Sequence, residues 1–355
     1  MEKRKILFLG ETYRADAITW MSGLQQFGNF EIITWELKTL GHGGFNRMAR
    51  LSEYCLAVFR IKKIIKLNNP DMVIAERTTS YGFLAALSGV KPVAIAQQGI
   101  TDLWPETSWL YPIKRIIQHY AFKKANLIHA WGNVMTHSME KAHVDMQKVL
   151  VLPKGIDLSL FVNKNTASES QLNAIVTRSL LPEYRHDVIL KSFAMLNEQG
   201  FDFSLTIVGD GIQLAALKEL TKKLKLTEKV FFTGKIPNHK LPELLLKSNY
   251  YISMPTTEGV SASLFEAMAT QCYPIVTDIP GNQSWVKHRI NGQLIVVDDS
   301  DMLAAELIWA IQNPKYRKEV TENNRTFIEQ NADYSVNMKI IAERYNALIN
   351  TTKKN

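Results

Sequence analysis

Residues 256–278 read TTEGVSASLFEAMATQCYPIVTD, and the fold turns on how this stretch is parsed. YYISMP (250–255), just before it, has the pattern of a buried strand closed by Pro255. ASLFEAMA (262–269) is a short apolar helix opening near Gly259 and Ser261, and it leads into a second short buried strand. Strand, helix and strand in so short a span form one repeat of a sheet covered by helices. Two acidic residues, Glu258 and Glu266, stand around the helix start. Free N–H groups at a helix N-terminus attract an anion, and a carboxylate one or two turns further in accepts hydrogen bonds from hydroxyls without a metal. Burying Glu266 in the apolar run is costly without a partner, which a ribose or a backbone N–H would supply. A polar, sugar-like ligand carrying phosphates suits this pattern. The plainer alternative makes Glu258 a surface loop residue and Glu266 part of an exposed stripe.

The alternation extends in both directions. Upstream, strand-like runs at 5–10, 30–35, 72–76, 92–97, 127–132 and 148–153 are separated by helical patterns at 14–27, 47–68, 80–88, 110–124 and 134–142. Ligands of such α/β sheets gather at the carboxyl ends of the strands, so Gly10-Glu11-Thr12, Glu76-Arg77 and Gln98-Gly99 are the loops of interest. The polar stretch 162–172 lacks periodicity and marks a boundary. Beyond it the pattern resumes with strands at 173–179, 204–211 and 230–234 and helices at 186–199, 212–225 and 239–247. A strand at 293–297 and helices near 300–312, 314–330 and 334–349 complete the chain. The expected organisation is an α/β domain over 1–165, a second over 166–332, and a C-terminal helix over 333–355 that crosses back to the first.

Composition narrows the class. At 355 residues the chain exceeds one ordinary core and suits two domains. Hydrophobic content of 46% with 21% charged residues is that of a globular protein. Two cysteines, Cys55 and Cys272, far apart in apolar sequence, argue against a disulfide framework or a cysteine metal site. MEKRKILFLG lacks a signal-peptide cleavage pattern, and no run of 18 apolar residues occurs, so a cytoplasmic protein without a membrane span is expected. The net charge of +8 permits contact with phosphates or an anionic membrane face. Basic pairs Lys62-Lys63, Lys114-Arg115 and Lys123-Lys124 lie among apolar and aromatic residues, as on a lipid surface or on the solvated faces of helices packed on a sheet. No zinc-finger spacing or RNA-binding module supports nucleic-acid binding.

EGVSASLFEAMATQCYPIV resembles the E-x7-E signature of the retaining GT-B glycosyltransferases, glycosyltransferase family 4 or group 1, whose usual form is EGFGLxxxEAMAxGxPVV. Gln271 replaces the usual glycine. The resemblance implies two Rossmann-like domains facing each other across a cleft. It implies transfer of a hexose-type sugar from a nucleotide diphosphate sugar to a hydroxyl of a glycan or lipid-linked acceptor, with retention at the anomeric carbon and no metal or other cofactor. Surface polysaccharide or glycolipid synthesis, on the cytoplasmic face of the inner membrane, is the implied setting. Glu258 would lie near the sugar and Glu266 would hold the ribose. Gly259, Val260 and Ser261 would line the nucleotide site at the helix start.

An arginine followed by a lysine clamps the diphosphate in the family; Arg178 fits the first, and Arg185 or His186 the second. By the same resemblance Gly209 and Gly211 would frame the nucleotide by allowing close approach, and Gly234, Lys235 and Ile236 would border the base. Asn282 or Gln283, after the turn at Pro280-Gly281, would reach the sugar or diphosphate, whereas Asp298-Asp299 reads as a surface turn. VLPKGIDLSLF (151–161) resembles the segment that ends the first domain, with Pro153, Asp157 and Phe161 as hinge architecture. The first loop, GETYRAD, departs from the family's glycine-rich form, and in QQGITD Gln98 stands at the family's histidine position, with Asp102 retained. A glutamine is no general base, so the substrate phosphate or another group would take the acceptor proton; His42, His129 and His137 are the other candidates. Two rival functions share this architecture: a non-hydrolysing sugar-nucleotide epimerase, and a nonenzymatic sugar-nucleotide binding protein.

Overall fold

The computed structural model describes residues 3–38, 44–97, 107–161 and 171–354, and the chain divides into two compact units, Met1–Lys154 with Ser335–Asn355, and Gly155–Tyr334. The division falls earlier in the sequence than the polar stretch 162–172, most of which lies outside the described residues.

The first unit is built on strands β1 (Lys5–Leu9), β2 (Glu31–Trp35), β3 (Met72–Glu76), β4 (Val93–Gln97), β5 (Leu127–Ala130) and β6 (Val149–Val151). All pair in parallel, in the order β2-β1-β3-β4-β5-β6. Every residue of MVIAE and VAIAQ is buried, as in a sheet covered on both faces, where strands read as continuous apolar runs. The helices are α1 (Ala15–Gly28), α2 (Gly44–Asn68), α3 (Phe83–Leu87), α4 (Tyr111–Lys124) and α5 (Thr136–Lys141). The helix expected over 80–88 is instead entered through a π-helical turn, Arg77–Gly82, whose first residue has a left-handed φ of 59°.

The second unit carries β7 (Leu172–Thr177), β8 (Phe203–Val208), β9 (Val230–Gly234), β10 (Tyr250–Ser253), β11 (Tyr273–Thr277) and β12 (Gln293–Ile295), parallel and ordered β12-β11-β10-β7-β8-β9. Its helices are α6 (His186–Glu198), α7 (Leu214–Lys223), α8 (Leu241–Leu246), α9 (Ala262–Ala269), α10 (Pro280–Gln283), α11 (Ser300–Gln312) and α12 (Pro314–Asn331). The two-residue strand period splits the core. Ala174, Val176 and Ile252 join one apolar cluster with α6 and α11, while Ile175 and Tyr251 join another with α9. The stretch after β11, expected as a plain loop, contains α10, with Pro280 at its first turn.

The last helix, α13 (Tyr334–Lys354), belongs to the first unit from Ser335 onward. Arg4 donates to Asn346 Oδ1 at 2.6 Å, Asn337 Nδ2 donates to the Pro153 carbonyl at 3.0 Å, and Lys353 pairs with Asp71 at 2.6 Å. At the crossing point Ile156 N bonds the Ala332 carbonyl and Tyr334 N bonds the Ile156 carbonyl. Gly155 sits there at φ 82°, where a Cβ would lie 2.3 Å from the Ala332 oxygen. Among the described residues no helix is long and apolar enough to cross a membrane.

Candidate functional site

In the second sheet, chain order reverses between β7 and β10: β8 and β9 extend from one side of β7, and β11 and β12 from the far side of β10. Ligands of open α/β sheets bind outside the carboxyl ends of the strands at such a switch point. Arg178 follows β7 directly, and the Glu258 loop follows β10. The two side chains meet there, with the Arg178 guanidinium paired to Glu258. Arg178 also donates to Ser261 Oγ at 2.7 Å and, through Nε, to Ser253 Oγ at 3.2 Å, and it lies 5.2 Å from the Tyr184 ring centre.

Ser261 opens α9. Its Oγ accepts from Leu264 N at 3.2 Å, so one hydroxyl caps the helix and steadies the arginine. The N–H of Gly259 turns back to Glu258 Oε1 at 3.2 Å, and Val260 packs on the α9-side cluster. Glu266 lies one turn into the helix. Burial pushes its carboxyl group up to about 7 against the opposing pull of Arg178, and among the described residues nothing donates a hydrogen bond to it.

The glycines act on this site through the backbone. Gly209, at φ 145°, lies so close to Arg178 that a Cβ would stand 2.2 Å from its carbonyl oxygen. A Cβ on Gly211 would stand 2.4 Å from the Leu180 carbonyl, and Leu180 N bonds the Asp210 carbonyl. The turn 209–211 therefore leaves room for the backbone that carries Arg178. Gly281 of α10 does the same for the other partner, since a Cβ there would lie 2.1 Å from the Glu258 carbonyl oxygen. Gly234 at the end of β9 has φ 69° with open space around its Cβ position; Lys235 is exposed and Ile236 is half-buried against the α9-side cluster.

The expected second cation is differently employed. Arg185 holds the left-handed φ of 46° before α6 and gives Nε to Asp187 at 3.1 Å and a terminal nitrogen to Asp298. Asp298 lies in the expected exposed turn and is in addition an ion-pair partner, and Asp299 caps α11 through Met302 N at 2.8 Å. His186 is fully buried, and burial with the nearby Arg178 charge lowers it to about 4, so it is neutral and offers a diphosphate no charge. Asn282 is also buried, its amide donating to the Thr277 carbonyl at 2.8 Å, while Gln283 bonds Asp278 at 2.8 Å. Among the described residues no group of three or more His, Cys, Asp or Glu side chains is arranged to hold a metal ion.

The first sheet has its own reversal, between β1 and β3, and the loops that follow these two strands meet there. Arg77 donates to both oxygens of Glu11, at 2.6 and 3.2 Å; Arg14 adds a third bond at 3.1 Å, and Glu76 accepts from Glu11 N at 3.1 Å. Lys154 reaches Asp16 Oδ1 at 3.0 Å beneath the Trp131 ring. His129 is buried, lowered to about 4 by desolvation, and bonded to the Leu152 carbonyl at 2.9 Å, whereas His137 is exposed. Gln98, Asp102 and His42 lie outside the described residues. Tyr184, Ser253, Gly281 and Asp298 were not expected at the site: tyrosine and serine carry no distinctive sequence signal, and Gly281 looked sufficiently explained as a turn residue.

Comparison with known proteins agrees with this layout. Residues 160–327 match the family model for glycosyl transferases group 1, and residues 5–131 match that for glycosyl transferase 4-like proteins. A Haemophilus influenzae protein described as an uncharacterized glycosyltransferase is 30% identical over 255 residues, 65% of this chain and 68% of its own. The Escherichia coli enzyme named UDP-Gal:alpha-D-GlcNAc-diphosphoundecaprenol alpha-1,3-galactosyltransferase is 27% identical over 71% of this chain and 69% of its own. The crystal structure of Anabaena HepE in complex with UDP and glucose superposes with a TM-score of 0.76 at 17% identity, over 97% of this chain and all of that one. The chain spans 59%, 73% and 50% of the length of the first three curated relatives it matches. The protein belongs to the group 1 (family 4) glycosyltransferases and has their GT-B fold of two Rossmann-like domains.

Proposed function

We propose that this glycosyltransferase moves a hexose from a nucleoside diphosphate donor to a hydroxyl of a glycan or lipid-linked acceptor, with retention of anomeric configuration and without a metal. The observation that carries the reading is the Arg178 guanidinium at the β7–β10 switch point, between Glu258 and the start of α9, with the unbonded Glu266 carboxyl nearby.

A diphosphate entering there competes with Glu258 for Arg178, and a guanidinium fork matches paired phosphate oxygens. Released from the arginine, Glu258 faces the sugar. As the sugar–oxygen bond breaks, negative charge grows on the leaving diphosphate, and Arg178 with the first N–H groups of α9 stabilises it. Arg185 contributes once Asp187 and Asp298 let it go. Ionised Glu266 accepts from the ribose hydroxyls, while Gly234, Lys235 and Ile236 border the base. The departing phosphate takes the acceptor proton. Retention is supported by the spacing of the two glutamates, which resembles that of retaining members. A UDP-sugar and a lipid diphosphate-linked acceptor are supported by the name of the E. coli relative, and UDP also by the HepE complex. A Salmonella typhimurium relative carries a name from colanic acid biosynthesis, which supports a role in surface polysaccharide or glycolipid assembly.

The test is incubation with UDP-hexoses and polyprenyl diphosphate-linked sugars, in EDTA or in magnesium, with the anomeric proton of the product read by NMR. Transfer in EDTA with the donor's anomeric configuration is expected. An inverted product would remove the retaining mechanism, and transfer only in magnesium would remove the metal-free one.

A further inference from the structure

The chain between β7 and α6 is held by backbone bonds along its length. Leu180 N bonds the Asp210 carbonyl at 2.9 Å, and Gln213 N returns to the Leu180 carbonyl at 3.1 Å. A single 3-10 turn, Pro182–Tyr184, follows, opened by a proline whose missing N–H would have had no partner within the turn. Tyr184 N closes on the Leu181 carbonyl at 3.1 Å, and the Glu183 carbonyl accepts from Thr256 N at 2.9 Å. The turn is thereby tied to the loop after β10, just ahead of Glu258. This bonding sets Tyr184 against Arg178, whose guanidinium carbon lies over the ring at 5.2 Å from its centre, within the range of a cation–π contact.

The donors of that guanidinium are unevenly employed. Nε donates to Ser253 Oγ, and Nη2 donates to Glu258 and to Ser261 Oγ. Among the described residues Nη1 donates to nothing. A diphosphate that displaces Glu258 therefore meets the Nη1 donors and the Nη2 donor so released. The same displacement removes the carboxylate that pairs with Arg178. Two serine hydroxyls and the Tyr184 ring are then what restrain a long, rotatable side chain. The neighbouring cation is engaged elsewhere, since Arg185 is paired with Asp187 and Asp298.

We propose that Tyr184 is a positioning residue for sugar transfer: its ring holds the Arg178 guanidinium in place while Glu258 is exchanged for diphosphate. This rests on the assignment of Arg178 to the diphosphate and adds the group that keeps the arginine there. An aromatic ring suits the task better than a further carboxylate, because it attracts the cation without competing with phosphate for N–H groups. An arginine already restrained also loses less freedom when the ligand arrives, which favours the bound state.

Calorimetry with UDP on the whole chain tests it. Tyr184→Leu removes the ring and keeps an apolar side chain, and it should weaken UDP binding about ten-fold, the scale of a partly desolvated cation–π contact. Tyr184→Phe keeps the ring and should stay within about two-fold of the parent. On the Arg178→Ala background Tyr184→Leu should cost less than about two-fold, since no cation is left to hold. A tyrosine that only packs the turn would cost the same on both backgrounds, and that result would overturn the proposal. So would a loss in Tyr184→Phe equal to that in Tyr184→Leu, which would give the role to the hydroxyl. Undiminished binding by Tyr184→Leu, with Arg178→Ala binding weakly, would remove the positioning role and leave the diphosphate assignment standing. If the parent does not bind UDP, or Arg178→Ala binds it as the parent does, the assignment itself fails and the positioning role falls with it.

Discussion

Each sheet sets an arginine–glutamate pair at the point where its strand order reverses, and the two pairs are built in opposite senses. In the first unit the glutamate follows β1 and the arginine follows β3; in the second the arginine follows β7 and the glutamate follows β10. Glu11 is saturated: Arg77 takes both oxygens, Arg14 shares one, and although burial raises its carboxyl group, the two arginines hold it below the ordinary value. Arg178 is held by one carboxylate and two hydroxyls beside an opening helix and an unbonded acid. On the proposed function, the same ion pair at equivalent places thus serves as a fastening in one unit and as an exchangeable contact in the other. What distinguishes them is what stands beside the pair.

Arg178→Ala breaks the comparison most directly. It should lower kcat/KM with a UDP-sugar by roughly 100-fold or more, the scale for removing a donor aimed at developing charge. UDP affinity, measured by calorimetry, should fall with it. Arg77→Ala should leave UDP affinity unchanged and instead cost about 1–3 kcal/mol in denaturant unfolding, because Glu11 loses its main partner in a largely buried place. If the two variants exchange phenotypes, the assignment of fastening and site is wrong.

Next in size is Gly209→Ala. The added Cβ, fixed to the Cα of residue 209, meets the Arg178 backbone carbonyl, so one stretch of backbone must move. A stability loss of about 1–3 kcal/mol is expected, accompanied by weaker UDP binding. Gly200→Ala is its control: φ is 79° and the space is open, at the end of α6 and outside the proposed site, so about 1 kcal/mol should be lost with UDP affinity intact. Equal losses of affinity in both would show that the loss follows stability rather than the backbone that carries Arg178.

These outcomes bear on what the sequence could reveal. Arg178, Glu258 and Glu266 were legible because strand ends and the helix start place them by local pattern, and because the E-x7-E resemblance spans them. Both parallel sheets were legible in their buried runs, such as MVIAE and YYIS. The employment of Arg185 was not legible, since it depends on a left-handed turn and on Asp298, which approaches from across the fold. Nor was the neutrality of His186, which comes from burial that only tertiary packing creates. The glycine turn was found, but sequence alone does not say whether a ligand or another stretch of backbone comes close.

Glu266 gives a smaller effect with a definite sign. Its carboxyl group is raised from 4.5 to about 7, so the folded chain keeps a proton that the unfolded chain has released. Stability therefore declines as pH rises through that window, and Glu266→Gln should lack the decline. Ribose hydroxyls donate to the ionised form, so UDP affinity should climb with pH through about 7 in the native protein more steeply than in Glu266→Gln. Identical pH profiles for the two proteins would show that this acid does not contact the nucleotide.

The smallest effect concerns a departure from the family pattern within the signature itself. Gln271 follows α9 at a left-handed φ of 60°, with its N–H bonded to the Met268 carbonyl and the Cys272 N–H to the Ala267 carbonyl. This is the helix-ending position where glycine avoids the Cβ penalty. The turn is therefore preserved despite the glutamine. Gln271→Gly removes a left-handed strain of about 1–2 kcal/mol and gives part of it back as greater freedom of the unfolded chain, so a net gain below about 1 kcal/mol is expected. The site should not respond, because Gln271 lies at the opposite end of α9 from Ser261, Glu258 and Arg178. A rise in the denaturation midpoint with unchanged UDP affinity separates the fold-holding part of the signature from its chemical part; a change in affinity would mean that the end of α9 is coupled to its beginning.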